Sequence, residues 1–224
     1  MPLSQLQTGP QNLADGATSG NARGGKQGDA IVSELHGRFY EQAYRGNLYS
    51  AGSSLTALSA NTISLSATTT PIVGVWNPPG SGVNLSILQA GLQCVANNLT
   101  SGAGPGAFVW AASVNNAALT LGAAPINRRT LTGGASLSKA FNGGVALTGL
   151  TNNLVVLEGA DFTSPSGLTY TTLVSTSILV PTGGVQNIDG SLIVPPGGVL
   201  ALLNTVSSTT FSVYSRLLWE EVPI

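Results

Sequence analysis

Apolar and polar residues alternate along most of this chain from about residue 53 onward. Ile63, Leu65 and Ala67, for example, alternate with Thr and Ser residues, which is the pattern of a strand with one buried face. The PIVGVW run ends at NPPGSG, residues 77–82, where two prolines and two glycines favour a turn. The pattern predicts short strands separated by Gly/Pro turns.

The strand that begins at Val83 changes its apolar face once. Its apolar residues occupy odd positions as far as Ile87 and even positions from Leu88 to Ala96. A slip of one residue in a period of two indicates a β-bulge near Ile87 and Leu88.

Further strands are predicted towards the C-terminus. The candidate runs are AFVWAASV (107–114), LVVLEG (154–159), TYTTLVSTSILV (169–180), SLIV (191–194), VLALLNTV (199–206) and FSVYSRLLWEEV (211–222). We expect LVVLEG to be buried on both faces because it is continuously apolar. In the last run the residues predicted to share one face are Phe211, Val213, Ser215, Leu217 and Trp219. Roughly eight short strands predict an all-β, jelly-roll-like antiparallel sandwich over residues 51–224, with a loop-rich stretch at 115–150.

Residues 1–50 are predicted to form an extended N-terminal arm and an anchoring segment. The first thirty residues are polar and Gly-rich without hydrophobic periodicity, so they lack a core of their own and order only against a partner. Tyr40, Tyr44 and Leu48 then follow at a spacing of four. That spacing fits one helix face, while the flanking glycines favour extended structure, and we expect an extended segment with a short helical turn.

Charge is scarce throughout. Charged side chains make up 8% of the chain, and residues 46–127 contain no Asp, Glu, Lys, Arg or His. The net charge is −1 and basic clusters are small, as at Arg128 and Arg129, so we expect no nucleic-acid binding. We expect no membrane span, because no run of 18 apolar residues occurs, and no secretory signal in MPLSQLQTGPQ.

Catalytic motifs are nearly absent. Gly20–Lys26 imitates a phosphate loop, but Gln27 stands where Ser or Thr would bind magnesium. His36 is the only imidazole and Cys94 the only thiol, which is a poor supply of metal ligands; we expect a structural histidine and a buried cysteine. Glu220 and Glu221 are adjacent on a strand, so they face opposite ways and we expect a solvated or partner-facing strand end. The chain is predicted to be no enzyme and to hold no cofactor or metal.

One group of aromatic and basic residues suggests a contact surface. Arg and Tyr combine apolar area with hydrogen-bonding groups and are enriched at interface hot spots. The alternative is that these side chains fix the arm to the sandwich of the same chain. The candidate capsid or oligomer contacts are Arg38, Phe39, Tyr40, Tyr44, Arg45 and Tyr49.

Three stretches carry a resemblance: GDAIVSELHGRFYEQAYRGNLYSAG, WNPPGSGVNLSILQAGL and DGSLIVPPGGVLALLNTVSSTTFSVYSRLLWEEVPI. In layout and composition the chain resembles virion proteins of tailed bacteriophages, particularly capsid decoration or cement proteins. The resemblance implies a jelly-roll-like fold, homotrimers at three-fold positions, and contacts that clamp neighbouring major capsid protein subunits on the outer surface of the capsid.

Two rival functions remain open. A tail or head-fibre receptor-binding module shares the Ser/Thr/Asn-rich, β-rich composition, although it more often shows repeats and an aromatic platform for sugars. An enzyme on a jelly-roll scaffold, such as a cupin, needs several His ligands, and this chain has one. The location of the protein in the virion discriminates the first rival from a decoration protein.

Overall fold

The computed structural model divides the chain into two compact units, Met1–Glu41 and Gln42–Ile224. The described residues are 6–7, 22–23, 37–52, 56–58, 68–96, 106–115, 119, 122–142, 146–162, 182–206 and 208–224. The elements are β1 (Leu6–Gln7), β2 (Ala22–Arg23), α1 (Tyr40–Arg45), β3 (Leu48–Gly52), β4 (Thr56–Leu58), β5 (Thr68–Thr69), β6 (Val73–Trp76), β7 (Val83–Ala96), β8 (Phe108–Val114), β9 (Ile126–Asn127), β10 (Lys139–Asn142), β11 (Leu147–Thr148), β12 (Val155–Gly159), β13 (Thr182–Val194), β14 (Gly198–Asn204) and β15 (Ser208–Pro223).

In the described part of the first unit, two short strands form a pair. Strands β1 and β2 pair in parallel, and the Arg38 guanidinium lies 5.3 Å from the centre of the Phe39 ring. Most of the predicted arm, residues 1–30, lies outside the described residues. Helix α1 has six residues, so the expected short helical turn is confirmed.

The second unit is an antiparallel sandwich of two sheets. Sheet 1 has the order β13-β7-β15-β3-β9, with β4 also on β15, and sheet 2 has the order β10-β6-β14-β8-β12. From β6 to β8, and again from β12 to β15, successive strands alternate between the sheets. The sets β3-β15-β7-β13 and β6-β14-β8-β12 are therefore the two four-stranded sheets of a jelly roll, as predicted. Because β3 belongs to sheet 1, the sandwich includes residues 48–52, although the prediction placed its start at residue 51.

Two hydrophobic clusters lie on opposite faces of sheet 2. The cluster between the sheets includes Trp110 and Trp219, both fully buried. The other includes Leu119, Phe141 and Leu154, which come from the loop-rich stretch and its neighbours. Residues of 115–150 thus cover the outer face of sheet 2. With both faces covered, every residue of β14 is buried.

The bulge and the alternation predicted from the sequence are confirmed. Gln89 pairs with Leu218 and Ile87 pairs with Trp219, which leaves Leu88 as the extra residue of β7. Both Ile87 and Leu88 are buried. In β15 the side chains of 213, 215, 217 and 219 are buried and those of 214 and 216 exposed, whereas Ser212, predicted on the same face as 214 and 216, is buried. The strands predicted at 62–67 and 169–180 lie outside the described residues.

One predicted burial is wrong. LVVLEG was expected to be covered on both faces, but every residue of β12 is exposed. Strand β12 is at the edge of sheet 2 and pairs with β8 alone among the strands described. An edge position leaves apolar side chains uncovered that a central position would bury.

Candidate functional site

Helix α1 ends in a defined cap that turns the chain into β3. Gly46 adopts φ 80°, its N–H donates to the carbonyl of Ala43 (3.0 Å), and the N–H of Asn47 donates to the carbonyl of Gln42 (3.1 Å). These two bonds form a Schellman motif, in which glycine is favoured because side chains disfavour positive φ. The cap fixes where Tyr44 and Arg45 lie at the surface.

The buried side chain of Asn127 joins this cap to a distant turn. Its Nδ2 donates to the carbonyl of Gly46 (2.7 Å), and its Oδ1 accepts from the backbone N–H groups of Arg129 (2.9 Å) and Thr130 (3.3 Å). The N–H of Arg128 donates to the carbonyl of Leu48 (2.9 Å). Hence the two ends of the charge-free run 46–127 meet, and the arginines that flank it become neighbours.

An exposed surface results, which we call the arginine surface and define by Tyr44, Arg45, Arg128, Arg129 and Leu131. The Arg129 guanidinium lies 5.4 Å from the centre of the Tyr44 ring, within the range of a cation–π interaction. Tyr44 is 50% exposed and Leu131 72% exposed, and the three arginines are exposed as well. The surface presents positive charge beside apolar area.

A buried carboxylate lies where β15 pairs with the start of β3, since the N–H of Glu221 donates to the carbonyl of Asn47 (3.0 Å). Glu221 is 6% exposed and accepts hydrogen bonds from Ser136 Oγ, from the N–H of Leu137 (3.2 Å) and from Ser138 Oγ (3.2 Å). The expectation of a solvated or partner-facing strand end at Glu220 and Glu221 is therefore wrong for Glu221. Its oxygens bind the loop 136–138 of the same chain.

Tyr49 lies near that carboxylate, whereas the side chain of Glu220 is on the opposite face of β15. The Tyr49 hydroxyl donates to the carbonyl of Ala135 (3.3 Å). Burial raises the pKa of Tyr49, a hydrogen bond with Asn127 lowers it, and the negative charge of Glu221 raises it further. Burial also raises the pKa of Glu220, which the positive charge of Arg45 opposes. The side chains of Tyr49, Asn127 and Glu221, which we call the polar layer, tie β3, β9 and β15 together.

The six predicted contact residues are distributed over the two units. Arg38, Phe39 and Tyr40 belong to the first unit, while Tyr44, Arg45 and Tyr49 belong to the second. Tyr44 and Arg45 lie at the arginine surface, whereas Tyr49 is buried. The prediction left out Arg128, Arg129 and Leu131, because their approach to α1 depends on contacts across the charge-free run. The one sequence signal was that arginines bound this run on both sides.

A second surface feature accompanies the exposed edge strand β12. A groove of about 470 Å³ lies between β12, β8, β13 and β14, and its apolar lining includes Val155, Leu157 and Ile193. Polar groups at its rim have partners within the chain, since Asn152 Nδ2 donates to the carbonyl of Val114 (2.8 Å). The groove therefore offers a binding partner mainly apolar surface.

A third feature is a polar ladder on the outer face of sheet 1. Arg216 Nη2 donates to Gln89 Oε1 (2.6 Å), and Gln89 Nε2 donates to Asn187 Oδ1 (2.9 Å). Tyr214, which is 46% exposed, lies two residues before Arg216 on β15. The ladder places amide and guanidinium groups beside an exposed aromatic ring.

The residues considered for catalysis or metal binding do not define a site. His36 and the Cys94 side chain lie outside the described residues. Among the residues that are described, no group of three or more His, Cys, Asp or Glu side chains could hold a metal ion. No helix in the described part of the chain is long and apolar enough to cross a membrane.

No protein-family model, curated protein or solved structure matches this chain.

Proposed function

We propose that this protein is a virion structural protein, a capsid decoration or cement protein of a tailed bacteriophage. It is made in the host cytoplasm, binds the outer surface of the head and bridges major capsid protein subunits. The observation that carries the proposal is the jelly-roll strand order of a sandwich with very few charges. Jelly rolls are a recurrent architecture of viral capsid domains.

The charge distribution supports a role in an assembly. Residues 42–224 contain five basic and five acidic side chains, so the sandwich is neutral overall. Neutral strands pack against neighbours without the cost of removing charges from water. We assign the exposed apolar residues of β12 and the adjacent groove to contacts between copies of this chain in a homotrimer, because exposed apolar edges are surfaces that proteins normally cover.

The N-terminal segment supports attachment to a shell. Its polar, Gly-rich sequence suits strand addition, in which an extended segment pairs with an exposed sheet edge through main-chain hydrogen bonds. A trimer carries three such arms, and linked contacts multiply the strength of binding. A shell under internal pressure from its packed genome gains strength from bridges of this kind.

Co-sedimentation with heads assembled without this protein tests the proposal. We expect the purified protein to be a trimer by analytical ultracentrifugation and to sediment with such heads, which should then resist heating better. A monomer that fails to sediment with the heads would contradict the proposal.

A tail or head-fibre receptor-binding module is the second candidate. The observation that favours it is the ladder of Arg216, Gln89 and Asn187 beside exposed Tyr214, since amide groups and an aromatic face suit carbohydrate. Electron microscopy of virions separates the two candidates: density on the head shell supports decoration, and density at a tail or fibre tip supports receptor binding. Glycan binding that is lost in Tyr214→Ala would also favour the second candidate.

A further inference from the structure

We infer that the arginine surface is a preformed docking site for a carboxylate-rich segment of a partner protein. The inference rests on the proposed function, in which this partner is the major capsid protein. Its evidence is that Asn127 holds the turn that carries Arg128, Arg129 and Leu131 against the end of α1, which carries Tyr44 and Arg45.

Charge is concentrated on this surface. Three of the five basic side chains of residues 42–224 are Arg45, Arg128 and Arg129. The charge of Arg45 interacts with that of Glu220. Within the described part of the chain, neither Arg128 nor Arg129 forms an ion pair. Two exposed guanidinium groups side by side in the sequence, on a sandwich with few charges, make a local positive field, and carboxylates are natural partners for such groups.

The turn is rigid before any partner binds. The side chain of Asn127 binds the N–H groups of Arg129 and Thr130, and backbone bonds join Asn127 to Leu131 and Thr132 (both 2.9 Å). The ring of Tyr44 lies against the Arg129 guanidinium. A fixed arrangement loses less conformational entropy on binding than a mobile one.

Leu131 gives independent support. It adopts φ 58°, which side chains other than Gly, Asn and Asp rarely adopt, and it is 72% exposed. The exposed side chain of Leu131 is not buried by the described part of its own chain, and residues in such backbone conformations cluster at functional sites. Beside arginine and tyrosine, it supplies the apolar contact of an interface hot spot.

A protein partner fits better than nucleic acid. Affinity for a phosphate backbone comes mainly from the number of phosphates that Lys and Arg neutralise, and this surface has only three arginines, with Glu220 close to one of them. A short acidic segment with an apolar residue matches both the number of charges and Leu131.

The test uses fluorescence anisotropy with a labelled poly-L-glutamate peptide and, in parallel, single-stranded DNA of equal length. We expect the peptide to bind at low salt, and Arg128→Gln with Arg129→Gln to weaken its affinity about tenfold or more. The matched control, Lys139→Gln with Arg216→Gln, removes the same charge elsewhere and should leave the affinity within about twofold. Equal losses in both pairs, or no binding of the peptide by the unaltered protein, would overturn the inference, as would DNA binding as tight as peptide binding with the same loss in the first pair.

A second variant separates a docking role from a structural one. Asparagine tolerates positive φ, so Leu131→Asn should keep or raise the urea midpoint while it weakens the co-sedimentation with heads. A lowered midpoint with unchanged head binding would contradict a docking role for Leu131. If the arginine variants bind heads as the unaltered protein does, the docking site is wrong and decoration stands; if the unaltered protein binds the peptide but not the heads, decoration is wrong and the site stands.

Discussion

Single residues of the polar layer join segments of the chain that are far apart in the sequence. Glu221 on β15 receives its hydrogen bonds from 136–138, and Tyr49 on β3 donates to Ala135. A buried carboxylate is stable only when its oxygens are hydrogen-bonded. The loop is therefore as necessary to Glu221 as Glu221 is to the loop.

Glu221→Gln should destabilise the protein by about 2 kcal/mol, because the amide NH₂ faces donors and the charge-assisted bonds are lost. Glu220→Gln is the matched control. Its side chain is on the opposite face and half-buried, so we expect a change within about 0.5 kcal/mol. Urea unfolding measures both, and equal effects would show that the loop does not depend on the carboxylate.

The two tryptophans between the sheets differ in one hydrogen bond. Trp110 Nε1 donates to Gln186 Oε1 (2.9 Å), whereas the buried Nε1 of Trp219 has no partner among the described residues. Both substitutions to Phe leave a cavity, but Trp110→Phe also leaves Gln186 unpaired. We expect it to cost about 1 kcal/mol more than Trp219→Phe in urea unfolding; the reverse order would contradict the hydrogen-bond argument.

Because of Tyr49, we expect the free energy of unfolding to depend on pH in the alkaline range. Its pKa in the folded protein is raised above the ordinary 10.0, so the folded state favours the neutral phenol. The free energy of unfolding should therefore hold up to about pH 10 and fall as the pH rises through the folded-state pKa. Tyr49→Phe should flatten that fall, measured by urea midpoints at several pH values. Tyr214→Phe, an exposed control, should leave the fall unchanged.

At the scale of elements, the end of α1 depends on the backbone conformation of one glycine. A Cβ at Gly46 would lie 3.8 Å from Arg129 Cδ, which is ordinary contact, so Gly46→Ala should be disfavoured by its φ of 80° rather than by a clash. We expect a loss of about 1 kcal/mol. Gly159→Ala, in β12 with no atom within 4 Å of the added Cβ, should be nearly neutral by the same urea unfolding assay. A neutral Gly46→Ala would mean that the cap relaxes.

The alternation of apolar and polar residues predicted the strands well, but it did not predict which strands lie beside one another in the sheets. The bulge at Leu88 and the alternation of β15 were visible because each follows from the side-chain period of a strand. The exposure of β12 and the full burial of β14 were not visible in the sequence, because both depend on where a strand lies within its sheet. Likewise Tyr44 and Arg45 could be proposed from composition, whereas Arg128 and Arg129 join them only through the folded contact of Asn127 with Gly46.

At the scale of the whole molecule, the sandwich carries few charges, and the contacts described for it are mainly apolar burial and hydrogen bonds. Six of the ten charged side chains of residues 42–224 are at the arginine surface or on β15. We expect the free energy of unfolding to change by less than about 0.5 kcal/mol between low salt and about 0.5 M NaCl. Urea titrations at both salt concentrations measure this. A larger shift would point to surface ion pairs that stabilise the fold.

The position of β15 constrains how this chain can fold during synthesis. Strand β15 follows β3 and β7 by many residues in the sequence, and it pairs with both of them in the middle of sheet 1. Until β15 has been synthesised, the edges of β3 and β7 that face it have no partner, and sheet 1 must wait for contacts between remote parts of the chain. Intermediates with unpaired strand edges are prone to aggregate, so we expect sheet 1 to form only after the whole of β15 has left the exit tunnel.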